Sequence, residues 1–442
     1  MAYEIVIGRS ESDREKYDLK GTTFLGRHYV KMGQTTSLSS NILLDVNRTH
    51  VVFVCGKRGS GKSYTMGSIA EGIADLPKEV KNNICTIIFD TMGIYWTMKF
   101  PNKKDEALLK KWDLKPKSLD IDVYTPKGYF KEYKEKGIPT DHSFSIKPSD
   151  LAPSDWCLTF DIDPNTPAGV LLERTINGLK KEGTNYTISD IIKKIGSDKK
   201  SSGNDKNMIE NQFRKTKSWG LFSKHGTPIE DLTYGGKTII IDLSPYATQS
   251  GTWNIKSLVI GIISEKVFVE RMAARKAEEH MLLKKAESYF TEKKKGKIER
   301  ITPLIWIMID EAHEFLPHEG KTAATNALVT ILREGRQPGV SLILASQQPG
   351  KIHTDVMTQS DTVISHRLTA KVDVDALGKL MQSYMRHGLD EELNKLPRVK
   401  GAALVFDDMN EKLYPMQMRP RFTWHGGEAP VAIEEIKKEF NI

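Results

Sequence analysis

His50-Val-Val-Phe-Val-Cys55-Gly56-Lys57-Arg58-Gly59-Ser60-Gly61-Lys62-Ser63-Tyr64 is the stretch on which the fold turns. Its first six residues form an unbroken β-branched and aromatic run, the pattern of a strand buried on both faces of a parallel sheet. The next eight fit G-x-x-x-x-G-K-[ST] without a gap. Tyr64 to Ile73 then continues as an amphipathic helix. Glycines let such a loop curl so that successive N–H groups point inward, and the helix adds its positive end. Gly56, Lys57, Arg58, Gly59, Ser60, Gly61, Lys62, Ser63 and Tyr64 are therefore predicted to bind the phosphates of ATP. Lys62 would reach the β- and γ-phosphates, and the Ser63 hydroxyl would ligate Mg²⁺.

Further strands of the same unbroken kind follow: Ile84 to Asp90, Thr238 to Asp242, Leu304 to Ile309 and Val340 to Leu344, with Thr362 to Ser365 as a sixth. Amphipathic stretches separate them, among them Lys256 to Tyr289 and Thr322 to Arg333. The expected fold class is α/β, a RecA-like P-loop NTPase core whose mostly parallel sheet carries helices on both faces. Residues 1–45 hold short extended pieces (Tyr3 to Ile7, Thr22 to Leu25, Ile42 to Leu44) and are expected to form a short β-rich segment. The core is divided into 46–100 and 237–418. The polar, Lys-rich stretch 101–236, with a helix near Tyr186 to Ile195, is expected to be a mainly helical insertion. Residues 419–442 form a tail expected to brace a neighbouring subunit.

The strand Leu304 to Ile309 runs into Asp310, Glu311, Ala312 and His313. A buried strand thus delivers two carboxylates to its C-terminal end, where ligands bind in open parallel sheets. Asp310 is expected to hold Mg²⁺ through water, and Glu311 to orient and polarise the attacking water. His313 is either a structural hydrogen-bonding residue or a relay. Gln347, at the tip of the next strand, could touch the γ-phosphate or the lytic water. Arg336, Arg333 and Arg367 are the candidates for an arginine finger donated across a subunit boundary.

Six motifs in order carry a family resemblance: GKRGSGKS, Asp90-Thr-Met-Gly93-Ile-Tyr95, IIIDLS at 239–244, IDEAHEFLP, LREGRQPG and ILASQQP. From about residue 45 to 427 the chain resembles the HerA branch of the HerA–FtsK ATPases, and its Arg419-Pro-Arg-Phe-Thr-Trp-His425 tail is similar to that family's C-terminus. The resemblance implies a homo-hexameric ring that moves on double-stranded DNA, with ATP between subunits. It also implies work alongside a NurA-like nuclease or another effector, in DNA end processing or antiviral defence. Only about 45 residues precede the core, so the N-terminal barrel that docks the nuclease is expected to be shortened or absent.

The net charge of +8 leans toward a polyanionic partner. Candidate grips on phosphate are Lys199, Lys200 and Lys206 in the insertion, and Lys293, Lys294 and Lys295. Such contacts would be sequence-independent and salt-sensitive. The alternative is a nucleotide-gated ring scaffold that switches an effector with little movement along DNA. Three cysteines are too few for a disulfide framework, and no apolar run approaches the roughly 20 residues of a membrane span. With no secretion signal at the N-terminus, the expected location is cytoplasmic and not membrane-bound.

Overall fold

The computed structural model describes residues 4–32, 35–183, 185–247, 253–288, 302–381 and 389–427. Thirteen strands join in one sheet. In chain order they are β1 (Ile5–Ile7), β2 (Thr22–Met32), β3 (Thr35–Asp45), β4 (Val51–Cys55), β5 (Ile84–Asp90), β6 (Ile121–Pro126) and β7 (His142–Phe144). The rest are β8 (Thr238–Asp242), β9 (Leu304–Ile309), β10 (Val340–Ser346), β11 (Thr362–His366), β12 (Ala402–Asp407) and β13 (Lys412–Met418). Their spatial order is β1-β3-β2-β13-β12-β11-β4-β10-β9-β5-β8-β6-β7. From β11 to β7 every pairing is parallel, so all these strands present their C-terminal ends to one edge.

The strands read as unbroken apolar runs are the ones buried on both faces. In β4, Phe53 and Cys55 face one apolar cluster, which includes the helix Trp253–Ser288 and the insertion helices. Val52 and Val54 face the other, packed on Met66, Ile69, Ala70 and Ile73 of the helix Lys62–Ala74. That helix comes so close to β2 that a Cβ on Gly72 would lie 1.6 Å from Thr23 Oγ1. Only glycine permits the approach.

Two regions differ from the sequence-based expectation. The β-rich segment at residues 1–45 does not stand by itself. β2 and β3 are eleven-residue strands of one hairpin, and β2 pairs with β13, so the central sheet simply continues into them. Their outer halves are polar, which hid them. The stretch 101–236 is also more than helices. Its helices Pro153–Phe160, Pro167–Glu182, Ile188–Ser197 and Gly203–Thr216 pack around Trp156 and Phe213, but β6 and β7 extend the parallel sheet beyond β8. β6 is buried at every residue but Asp122, the one polar break that interrupts its apolar run.

The tract 291–300 with Lys293, Lys294 and Lys295, the start of the first extended piece at Tyr3, and the tail beyond residue 427 lie outside the described residues. The cysteines Cys55, Cys85 and Cys157 are free and buried. Among the described residues no helix is long and apolar enough to cross a membrane.

Candidate active site

The loop after β4 holds Gly59 at φ 74° and Gly61 at φ 116°, a left-handed region that suits glycine. Gly61 caps the helix Lys62–Ala74, which thereby aims its N-terminal N–H groups at the loop. Lys62 is buried, its Nζ 3.5 Å from the Lys57 carbonyl that it faces across the loop. Burial lowers the pKa of this amine, and Glu311 and Asp310 pull it part of the way back.

Two strands away, β9 carries Asp310 to the same edge. Ser63 Oγ donates to Asp310 Oδ2 at 2.5 Å, so the two residues expected to serve magnesium are in contact. Burial raises the Asp310 pKa, and the Ser63 bond opposes that. Glu311 has φ 52° and ψ 43°, a left-handed conformation that costs a non-glycine residue about 1–3 kcal/mol. Its N–H donates to Asp310 Oδ1 at 2.9 Å, which fixes the turn. Gln347, leaving β10, donates its amide to Glu311 Oε1. His313 Nδ1 lies 3.1 Å from Ser346 Oγ and 3.7 Å from Glu311 Oε2, between the tip of β10 and the carboxylate.

Ser60 Oγ and Glu311 Oε2 are buried without a hydrogen-bond partner among the described residues. Buried unpaired polar atoms beside a glycine loop at a helix N-terminus fit a bound phosphate and its water. Ser63 and Asp310 together offer hard oxygen ligands of the kind magnesium takes.

Not every expected residue faces this edge. Thr49 Oγ1, just ahead of β4, donates to the Arg336 carbonyl at 3.1 Å. Arg336 therefore sits at the opposite end of the sheet, roughly 17 Å of strand away from the loop. Arg333 is exposed and donates to Asp355 Oδ2 at 2.6 Å. Arg336 is therefore out of reach of the site of its own chain, and Arg333 is engaged with Asp355. Arg367 is the finger candidate beside the loop, its carbonyl accepting from the Lys57 N–H at 3.0 Å. Tyr64 turns away from the loop: its hydroxyl accepts from Arg421 N–H at 2.6 Å, leaving its backbone to serve a nucleotide.

The tail was expected to brace a neighbour, but its first residues bind their own chain. Glu71, fully buried on the helix Lys62–Ala74, accepts from Arg419 Nη1 (2.9 Å), Arg421 Nε (2.8 Å) and the Phe422 and Thr423 N–H groups. Burial would raise the Glu71 pKa, but the two arginines hold it below the usual range. Asp90, which ends β5 as Asp310 ends β9, was quoted as a motif residue and not as a site. It accepts from Gly93 N–H (2.7 Å) and Tyr95 N–H (2.8 Å), and Tyr95 in turn reaches the Ser63 carbonyl at 3.4 Å. An acid closing a buried strand was the signal that could have found it.

A parallel sheet with this loop at one strand tip and an acidic pair two strands away defines a RecA-like P-loop ATPase. More narrowly, the chain belongs to the HerA helicase family: residues 28–265 match the family described as "Helicase HerA, central domain". The match includes the phosphate loop and ends before Asp310. Over 164 residues the chain is 31% identical to the DNA double-strand break repair helicase HerA of Pyrococcus furiosus, covering 35% of this chain and 28% of that protein. With the protein of the same name from Sulfurisphaera tokodaii it shares 22% identity over 368 residues, 80% of this chain and 62% of the other. These matches thus span less than two thirds of either relative. Among solved structures, VirB4 of Thermoanaerobacter pseudethanolicus aligns with a TM-score of 0.54 at 11% identity, over 91% of this chain and 97% of that one. That likeness concerns the fold alone.

Proposed function

We propose that this chain is the ATP-hydrolysing subunit of a homo-hexameric ring that moves on double-stranded DNA. The ring would act in the cytoplasm with a NurA-like nuclease or another effector, in DNA end processing or antiviral defence. The observation that carries the hydrolytic part is the double pairing at the strand tips: Ser63 with Asp310, and Glu311 with Gln347. Gly56 to Ser63 and Lys62 would bind the triphosphate. Glu311, with Gln347 aligning it, would orient a water and accept its proton. Magnesium, held by Ser63 and through water by Asp310, would neutralise charge on the β- and γ-phosphates.

Arg336, at the far end of the sheet, fits a finger reaching a neighbour's site, which supports a ring. Lys199 and Lys200 lie in the exposed loop after Ile188–Ser197, and Lys206 lies in the next helix. Their place there suits a grip on phosphates, and the DNA-repair names of the relatives favour duplex DNA as the track.

The test is steady-state ATP hydrolysis with and without linear duplex DNA at low and physiological salt, alongside mass in solution. Stimulation that fades with salt, from a particle of six subunits, is the expected result. A DNA-indifferent ring would overturn the motor reading in favour of a nucleotide-gated scaffold. A monomer with no ATPase under any condition would overturn both.

A further inference from the structure

We propose that His366 is a positioning residue for nucleotide binding, holding the first turn of the helix Lys62–Ala74 through the Thr65 hydroxyl. The inference rests on the loop Gly56–Ser63 being the phosphate site. His366 closes β11 and is fully buried directly beneath that loop. A Cβ on Gly56 would lie 2.7 Å from His366 Cβ and one on Gly61 3.6 Å from His366 Cε1, so the loop packs directly against this residue. The next residue, Arg367, accepts the Lys57 N–H at 3.0 Å, which pins the loop a second time from the same strand.

The ring's bonds assign its tautomer. His366 Nδ1 lies 3.1 Å from the Ala402 carbonyl, which can only accept, so Nδ1 carries the proton. Nε2 is then a lone pair, and Thr65 Oγ1 donates to it at 2.7 Å. Burial, with Lys62 nearby, pushes the imidazole down to about 4, which keeps this arrangement uncharged through the neutral range.

A buried helical threonine ordinarily returns its hydroxyl to the preceding turn. Here the Gly61 carbonyl takes the Thr65 N–H at 2.8 Å, and the hydroxyl is spent across to β11 instead. The result is a fixed link from the sheet to the residue two places after Ser63. The loop's donors can be aimed at a phosphate only if this first turn keeps its rotation and height.

The link also gives the loop a second neighbour. His366 ends β11, and Ala402, whose carbonyl it holds, begins β12. Shortly after β11, Asp373 Oδ1 accepts from Gly350 N–H at 3.1 Å, just beyond Gln347. His366 is therefore followed at once by residues that touch both the phosphate loop and the β10 tip.

The experiment titrates full-length protein with a non-hydrolysable ATP analogue and magnesium, and records melting curves without nucleotide. The variants are T65V, H366L, T65V/H366L, H366Q and K62A. T65V and H366L are each expected to weaken binding about tenfold, since the first helical turn is no longer held at the rotation and height that aim the loop's donors. The double variant should be no weaker than the weaker single one, because both break one bond. H366Q, which restores an acceptor near Nε2, should recover most of the affinity. T65V should melt a few degrees below the wild type yet stay fully folded at the temperature of the titration, so that its loss of affinity reads positioning and not unfolding.

Wild-type affinity in T65V, or losses that add fully in the double variant, would overturn the inference; T65V decides it even if H366L fails to fold. K62A that still binds would overturn the phosphate-loop reading and this inference with it. K62A that fails to bind, beside a T65V of wild-type affinity, would overturn this inference alone.

Discussion

β4 and β11 carry buried charge at both ends, and the two ends are built differently. At their N-terminal ends, His50 lies between Asp361 Oδ2 at 3.0 Å and Asp45 Oδ2 at 3.2 Å. Arg9 is bonded to Asp45 and to the carbonyls of Asp18, Lys20 and Gly21. Most donors and acceptors of this cluster are matched, with Asp361 Oδ1 and the neighbouring Thr362 Oγ1 as exceptions. At the opposite edge, past the C-terminal ends of β4 and β9, Lys62 and Asp310 are buried while Glu311 is partly exposed. Ser60 Oγ and Glu311 Oε2 lack partners there, and what sets this end apart is a glutamate held in the left-handed region beside a glycine loop at a helix N-terminus. A closed cluster of ion pairs ties segments together, whereas a strained acid beside such a loop is placed to meet a ligand. Perturbed pKa values occur at both ends and do not by themselves tell a site from a clasp.

The sharpest test of that contrast is Glu311→Gln. Its kcat for ATP hydrolysis should fall about 10⁴-fold while nucleotide binding persists, because the proton acceptor is gone and the cradle remains. Unfolding temperature should not drop. A variant that loses stability instead would make the open end structural after all.

Next in size is Arg336→Ala, expected to lower kcat about 10³-fold if the finger acts in trans. Mixing Arg336→Ala with Glu311→Gln subunits should restore activity, since some interfaces then pair an intact acid with an intact arginine. No recovery at any ratio would remove Arg336 from the active site. Arg333→Ala, which breaks only an exposed ion pair, should change little by comparison.

The clasp gives the mirror image. Asp45→Ala strands Arg9 and His50 in the interior, which should cost about 3–5 kcal/mol in chemical denaturation. Hydrolysis by the protein that remains folded should be unaffected. A loss of kcat at a stability close to wild type would contradict the division between the two ends.

The same contrast explains what could be read from the sequence. That Gly56–Ser63, Asp310–Glu311 and Gln347 come to strand tips is legible because each is written in consecutive residues at the end of an unbroken apolar run. β4, β5, β8, β9 and β10 were legible for the same reason: a strand covered on both faces leaves no polar gaps. β2 and β3 showed only their apolar halves, and β6, with Asp122 breaking its apolar run, was absorbed into a helical insertion. The supports of the site were not legible because their partners are remote. His366 is 301 residues from Thr65, and Arg421 is 350 from Glu71. No local spacing announces such a pair, and only the sheet order brings its members together.

The smallest effect is a titration. Burial alone would lower the His50 pKa, but Asp361 and Asp45 outweigh it and raise it to about 9. An unfolded histidine titrates near about 6.5. The folded state therefore binds the proton more tightly. Its stabilising contribution is complete below pH ~6.5, declines between there and about 9, and is absent above. Denaturation from pH 6 to pH 10 should accordingly show wild-type stability falling through this window more steeply than that of His50→Gln, which has no proton to lose. The difference between the two curves isolates His50, because other groups titrating in the range are common to both proteins. Parallel curves would mean that His50 is neutral in the fold. One ring nitrogen would then face a carboxylate without a proton between them, and the clasp would not be a closed cluster of ion pairs.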